Sequence, residues 1–247
     1  MPPDIQPEEI ALFLDFDGCL VDLAPRHDAV IVPPGLAARL RAVHAALDGA
    51  VALISGRDVA ALRAYLPDFP GAIAGSHGAE LSLDGGAPRT RHEDFDVAAL
   101  HARAAALAQG RPGMVVEPKP HGVVLHYRAN PDLRPWVEAA MRDLAADYPA
   151  LAVQAAKMAV ELRPAGAGKD RALAHLMTQP PFAGRRPVYA GDDLTDEAAM
   201  AEAQARGGYG IKIGTGDTVA RHRLPDPAAL SAWLDRAVTA RAAGQGV

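Results

Sequence analysis

An open α/β fold, with a parallel sheet between helices and a separate α+β unit inserted in mid-chain, is predicted by three observations. Short apolar runs at Ile10 to Leu14, Val51 to Ile54, Ala72 to Ala74, Val188 to Ala190 and Tyr209 to Ile213 end in polar, glycine-containing turns, as strands buried on both faces do. Between several of them lie alanine- and leucine-rich stretches with helical spacing, Leu36, Leu40, Val43 and Leu47, then Val59, Leu62 and Leu66. Strands alternating with helices imply right-handed crossovers and therefore a parallel sheet. In the middle of the chain Val115-Val116, Val123-Val124-Leu125 and Val160-Glu161-Leu162 surround a helical stretch, Leu133 to Tyr148, without that turn chemistry, and a further helix is predicted over Val97 to Ala108. The core is expected over residues 1–86 and 166–247, and the inserted unit over 87–165. The tail from Ala240 to Val247, with its two glycines, is expected to fray.

A chain of 247 residues is one large domain, or one domain with an insertion, and a chain of this size buries roughly 70% of its unfolded surface. Cys19 is the only cysteine, which excludes an intramolecular disulfide and a multi-cysteine metal site and fits a reducing compartment. The 25 lysines and arginines against 30 aspartates and glutamates give a net charge of -5, and no basic stripe suggests a nucleic-acid partner. Met1-Pro2-Pro3-Asp4 lacks the basic start and apolar stretch of a secretory signal. No apolar run approaches the roughly 20 residues of a membrane span. A cytoplasmic location without a membrane partner is expected.

The chemistry is written at the strand ends. The first strand ends in Asp15-Phe16-Asp17-Gly18, which delivers two carboxylates to the crevice where reactive groups of open α/β sheets gather. Taken alone this string is weak, since aspartates with a turn glycine also make solvated loops. Gly191-Asp192-Asp193-Leu194-Thr195-Asp196-Glu197 is more informative, with four acids in six residues. Capping of the next helix by Asp193 or Thr195 explains part of it. The mutual repulsion of the rest calls for a hard cation, and oxygen donors favour Mg²⁺. Ser55-Gly56-Arg57-Asp58 offers a hydroxyl and amides at a helix start, an anion site or simply an N-cap. Lys169 opens a helix although a cation there opposes the helix dipole, so it has another task. Acids, a cation cluster, a hydroxyl and an ammonium are equipment for phosphoryl transfer. Nucleotide loops of the G-x-x-x-x-G-K-[ST] or G-x-G-x-x-G kind are absent from the expected strand-to-helix context, so the phosphate arrives on another substrate. Water or an alcohol can attack it directly, or a carboxylate can attack and form an aspartyl phosphate. In that second scheme Asp15 is the nucleophile and Asp17 the proton donor and acceptor.

Asp15-Phe16-Asp17-Gly18, Ser55, Lys169 and Gly191-Asp192-Asp193 with Asp196 stand in the order of the four motifs of the haloacid dehalogenase superfamily, which the chain resembles. The resemblance implies a Rossmann-like core with an inserted α/β cap. It also implies Mg²⁺ held by Asp15, the Asp17 carbonyl and Asp192, with Ser55 and Lys169 on the phosphate. More narrowly the chain resembles the trehalose-6-phosphate phosphatase family through Leu14 to Pro25, Ser55-Gly56-Arg57, Gly75-Ser76-His77-Gly78-Ala79-Glu80, Glu117-Pro118-Lys119, His126-Tyr127-Arg128, Val160-Glu161-Leu162-Arg163-Pro164 and Gly191 to Glu197. What this implies is Mg²⁺-dependent hydrolysis of trehalose 6-phosphate to trehalose and phosphate, with a functional link to a trehalose-6-phosphate synthase. Glu117, Lys119 and Glu161 would bind sugar hydroxyls. Gly18, Gly56, Arg57, His77 and Arg128 complete the expected substrate contacts, while Asp193 and Asp196 orient Lys169 or the helix end.

Cys19, Pro120 and Asp170 depart from the family's commonest residues. Cys19 keeps a backbone amide for phosphate, and Asp170 adds negative charge near Lys169. Several residues also have plainer readings: loop ordering for His77, a sheet position for His126, pairing with neighbours for Glu80 and Arg128, and exposed charges for Glu117 and Lys119. The rival activities are a phosphatase for sucrose- or glucosylglycerate-type phosphates, an isomerase that returns the phosphoryl group to sugar, and a non-catalytic phosphosugar sensor.

Overall fold

The computed structural model describes residues 1–24, 29–83, 85–90, 95–156 and 158–244. Along the chain the elements are β1 (Ile10–Leu14), α1 (Leu36–Ala46), β2 (Val51–Ile54), α2 (Val59–Tyr65), β3 (Ala72–Gly75), β4 (Glu80–Ser82), β5 (Arg89–Thr90), α3 (Val97–Ala108), β6 (Val115–Lys119), β7 (Gly122–His126), α4 (Arg134–Ala146), β8 (Leu151–Ala156), β9 (Ala159–Pro164), α5 (Lys169–Leu176), β10 (Arg186–Gly191), α6 (Leu194–Ala205), β11 (Tyr209–Ile213), β12 (His222–Leu224) and α7 (Pro227–Gly244). They fall into two compact units, Met1–Arg89 with Gly168–Val247, and Thr90–Ala167.

The first unit is built on a sheet of order β12-β11-β10-β1-β2-β3-β4-β5. Neighbouring strands from β12 to β3 pair in parallel, and β4 returns antiparallel to β3. Alternate residues of one strand serve two cores. Ile10, Leu12 and Leu14 pack with Leu36, Leu40 and Val43 of α1 and with Leu230, Trp233 and Leu234 of α7. Ala11 and Phe13 pack on the other face with Leu173 and Leu176 of α5 and Ala199, Met200 and Ala203 of α6. A parallel sheet buried on both faces therefore follows from the uninterrupted apolar runs, as the sequence predicts.

The second unit has the sheet order β6-β7-β9-β8, antiparallel throughout. One face, with Val123, Leu125, Val160 and Leu162, packs on Leu100 and Ala104 of α3 and on Val137, Met141 and Leu144 of α4.

The short strands β4, β5, β8 and β12 and the end of α7 go beyond the sequence reading. The edge strand β8, Leu-Ala-Val-Gln-Ala-Ala, has a composition that favours strand no more than helix. Helix α7 runs through the tail expected to fray as far as Gly244, and 245–247 lie outside the described residues. Pro25, the end of the first family-like stretch, lies outside them as well. No helix among the described residues is long and apolar enough to cross a membrane.

Candidate active site

The chain leaves β1 outward through β2 and β3, and leaves β10 in the opposite direction through β11 and β12. Ligands of open α/β sheets bind at such a switch point, beyond the carboxyl ends of the strands. Asp15 follows β1, where its amide donates to the Ala190 carbonyl at 2.9 Å, and Asp192 follows β10. Lys169, the first residue of α5, is buried with its Nζ 3.0 Å from Asp15 Oδ1 and 2.7 Å from Asp196 Oδ1. Asp196 is fully buried and also accepts from Tyr189 Oη at 2.6 Å and from the amides of Asp192 and Asp193 at 3.1 and 3.0 Å. Four donors occupy about all the lone-pair sites of one carboxylate. Asp196 thus anchors the start of α6, where Asp193 and not Thr195 is the N-cap, and aims Lys169 at Asp15.

Carboxylate oxygens of Asp15, Asp192 and Asp196 lie within 4.8 Å of one another. Burial, then Asp196, pushes the Asp15 carboxyl well above its ordinary range, with Asp192 adding to the rise and Lys169 opposing it. Burial, with Asp196 and Asp193, pushes Asp192 up to about 7. Burial disfavours the Lys169 ammonium, but Asp15 and Asp196 outweigh it and hold the group charged. The donor set is hard oxygen, crowded and short of positive charge, and Asp196 is already saturated. Asp15 and Asp192 remain, so the residues fit a divalent cation. Gly18 is part of the fit: at φ 72° a Cβ there would lie 2.2 Å from Asp192 Oδ2, so only glycine leaves that carboxylate its place.

Cys19 is buried as a small apolar residue would be, its thiol donating to the Ala190 carbonyl at 3.3 Å. Its amide, expected to face phosphate, lies 3.4 Å from the Phe16 carbonyl. The Asp170 carboxylate folds back toward its own helix start, with Oδ1 2.4 Å from where a Cβ on Gly168 would be.

Ser55 is buried at the end of β2, and its Oγ accepts from the Arg57 amide at 3.2 Å. Arg57, expected on the substrate, instead forms a bidentate pair with Asp17, Nε to Oδ2 at 2.6 Å and Nη2 to Oδ1 at 2.8 Å. Its guanidinium also lies over the rings of Phe16 and Tyr65, 5.7 and 5.2 Å from their centroids. Ser76 and His77 follow β3 with φ of 48° and 56°, two successive left-handed residues that cost of order 1–3 kcal/mol each. The neighbourhood compels them. Their amides donate to the carbonyls of Arg57 and Ser55, and buried Glu80 takes the Ser76 hydroxyl at 2.9 Å and the Val59 amide at 3.0 Å. The His77 ring sits against Gly56, where a Cβ would come within 2.9 Å of it. His77 and Glu80 therefore order the Ser55–Arg57 loop.

In the second unit the sheet face away from α3 and α4 is polar. Glu117, Val124 and Glu161 are opposite one another across β6, β7 and β9, and alternation puts Lys119, His126 and Arg163 on the same face. Lys119 Nζ is 2.6 Å from Glu117 Oε1, and His126 Nε2 donates to Glu117 Oε2 at 2.8 Å. His101 Nε2 on α3 lies 3.0 and 2.9 Å from the carbonyls of Lys119 and Gly122 and steadies that hairpin; Pro120 lies in its turn. Glu161 is buried, Arg163 bonds Gln154 Oε1 at 3.0 Å, and Arg128 is exposed beyond β7. Tyr189, Lys212 and His101 carry no motif, and no sequence signal marks them.

The trehalose-phosphatase family model matches residues 13–227. The chain is 36% identical over 231 residues to a trehalose-6-phosphate phosphatase of Escherichia coli, covering 93% of this chain and 87% of that one. It is 44% identical over 207 residues to a probable trehalose-phosphate phosphatase of Sinorhizobium fredii, covering 83% and 77%. Among solved structures, the C-terminal domain of C. albicans trehalose-6-phosphate phosphatase matches with a TM-score of 0.81 at 21% identity over 96% of this chain and 99% of that one. A haloacid dehalogenase-like hydrolase from B. subtilis matches at 0.66 and 15%, over 91% and 99%, and at these identities the structures speak for the fold alone. On the strength of the family match and the curated relatives, the chain belongs to the trehalose-phosphatase family.

Proposed function

We propose that the chain is a Mg²⁺-dependent phosphomonoester hydrolase that converts trehalose 6-phosphate to trehalose and phosphate, the last step of making trehalose. The observation that carries the reading is the buried Lys169 ammonium held between Asp15 and Asp196. It places a fixed positive charge beside a carboxylate at the sheet's switch point, where an anionic phosphate needs one. Asp15 attacks phosphorus, an Asp15–O–P bond forms and the bond from phosphorus to the sugar oxygen breaks, while Asp17 protonates that oxygen. Asp17 then takes a proton from water, whose oxygen attacks phosphorus and frees the Asp15 carboxylate. Asp17 is bonded to Arg57, and the first step requires Asp17 to exchange Arg57 for the leaving oxygen. A divalent cation held by Asp15, Asp192 and the Asp17 carbonyl would offset the negative charge of carboxylates and phosphate. Ser55 and Lys169 hold the phosphoryl oxygens.

The inserted unit, expected over 87–165, acts as a cap domain in this reading. Glu117, Lys119, Glu161 and Arg128 read the sugar hydroxyls. A cytoplasmic location and a functional link to a trehalose-6-phosphate synthase complete the proposal. It is tested by phosphate release from a panel of sugar phosphates, with product analysis. Trehalose 6-phosphate is expected to be preferred and trehalose to be the product; a preference for sucrose or glucosylglycerate phosphate, or an isomerised sugar phosphate without free phosphate, would replace this substrate or this reaction.

A further inference from the structure

We propose that Lys212 is a positioning residue for the cation site, holding the main chain at Asp192 so that its carboxylate is aimed at the cation. This rests on the reading that Asp15 and Asp192 hold a divalent cation. Lys212 on β11 is in register with Gly191, the last residue of β10. Ile211 and Ile213 point into one core, so alternation turns Lys212 to the opposite face, toward α6. Its ammonium is buried and reaches the Asp192 carbonyl at 2.5 Å. Glu197 Oε1 of α6 is 3.5 Å from the same nitrogen, while Glu197 Oε2 accepts from the Thr218 hydroxyl at 3.1 Å and the Val219 amide at 2.8 Å. The Asp192 amide donates to Asp196 Oδ2. Asp192 is thus held by its main chain on both sides, from Asp196 through its N–H and from Lys212 through its carbonyl.

Burying an ammonium is costly unless it is paired and bonded. A positive charge so near a cation site also works against the cation by simple repulsion. Its placement there is explained by geometry and not by charge, and the two roles predict opposite signs. Removing a mere repulsive charge tightens cation binding at a pH where Asp192 stays ionised in every variant, so the titrations are made well above neutral pH. Removing a positioning group weakens it, and outer partners of metal ligands typically matter by roughly 10- to 100-fold.

The test is the Mg²⁺-dependent thermal shift of the full chain, titrated with MgCl₂ against NaCl of equal ionic strength, for the native protein and for Lys212→Met and Lys212→Gln. The half-saturating Mg²⁺ concentration is expected to rise roughly 10- to 100-fold in both variants, with a matching shift in the Mg²⁺ dependence of p-nitrophenyl phosphate hydrolysis. Loss of melting temperature alone, with the same half-saturating Mg²⁺, is a structural role and overturns the proposal; tighter binding overturns it in favour of charge. Where Lys212→Met fails to fold, Lys212→Gln, which keeps a polar donor one atom short, decides. If the native protein itself shows no response to Mg²⁺, the cation reading fails, an outcome distinct from a native response that both variants share unchanged.

Discussion

Asp196 is buried as an acceptor: each of its oxygens takes two donors, and the one cation among them, Lys169, is shared with Asp15. Deleting a single donor exposes that economy. Tyr189→Phe removes one hydrogen bond to a buried charge, worth about 1.5–3 kcal/mol, and is expected to lower unfolding free energy by that amount in urea; an unchanged midpoint would show that the tyrosine bond adds nothing. Asp17→Asn keeps the shape of the side chain and removes its proton transfer, and turnover is expected to fall roughly 10²- to 10⁴-fold. Protonation of the cation site gives a pH test. Asp192 is pushed up to about 7 without a cation, against about 3.9 in an unfolded chain. Between those values the folded chain holds a proton at Asp192 that the unfolded chain lacks, so the contribution of Asp192 to the stability of the metal-free protein falls as pH rises from about 4 to about 7. A cation must displace the same proton. The half-saturating Mg²⁺ is therefore expected to fall by up to ~10-fold per pH unit on approach to pH 7 and to level off above it, as thermal-shift titrations from pH 5.5 to 8.5 would show; a flat profile would remove Asp192 from the ligands.

At the scale of elements, the second unit divides its labour by face. Alternation sends Val123, Leu125, Val160 and Leu162 to the helices and leaves Glu117, Lys119, His126 and Glu161 opposite them. A sugar-reading role for that polar face predicts substrate-selective damage. Glu117→Ala, Lys119→Ala or Glu161→Ala is expected to lower kcat/KM for trehalose 6-phosphate roughly 10- to 150-fold, the equivalent of about 1.5–3 kcal/mol for a lost charged hydrogen bond. Hydrolysis of p-nitrophenyl phosphate, which has no sugar, should change little; equal losses on both substrates would assign these residues to the fold. The elements that position the site were legible because strand ends and helix starts have local signals. Asp15, Ser55 and Asp192 each follow an apolar run, and Lys169 stands at a helix start where the dipole disfavours it. What was illegible is what long-range register supplies. Lys212 meets Asp192 only because β11 lies beside β10, and Tyr189 meets Asp196 only because α6 turns back over the strand it follows. The Arg57–Asp17 pair spans forty residues, and no spacing rule would have joined them. Strand β8 failed for the opposite reason, since its alanines and glutamine carry little β signal and its neighbour β9 decides its state.

At the scale of the whole molecule, the proposed activity is hydrolysis of trehalose 6-phosphate by one nucleophilic aspartate of a family-type core with the help of a divalent cation. Its parts converge on Asp15, which lies beyond the central strand, pairs with Lys169 and shares a carboxylate cluster with Asp192. Asp15→Asn is nearly isosteric and removes the oxygen proposed to attack phosphorus, a negative charge and a proposed cation ligand together. The most direct measurement is phosphate release from trehalose 6-phosphate by the native protein and by Asp15→Asn, each with MgCl₂ and with EDTA. Release by the native protein in Mg²⁺ alone, with no detectable turnover in the other three conditions, is the expected result; turnover by Asp15→Asn above a few percent of native, or native turnover that survives EDTA, would contradict it.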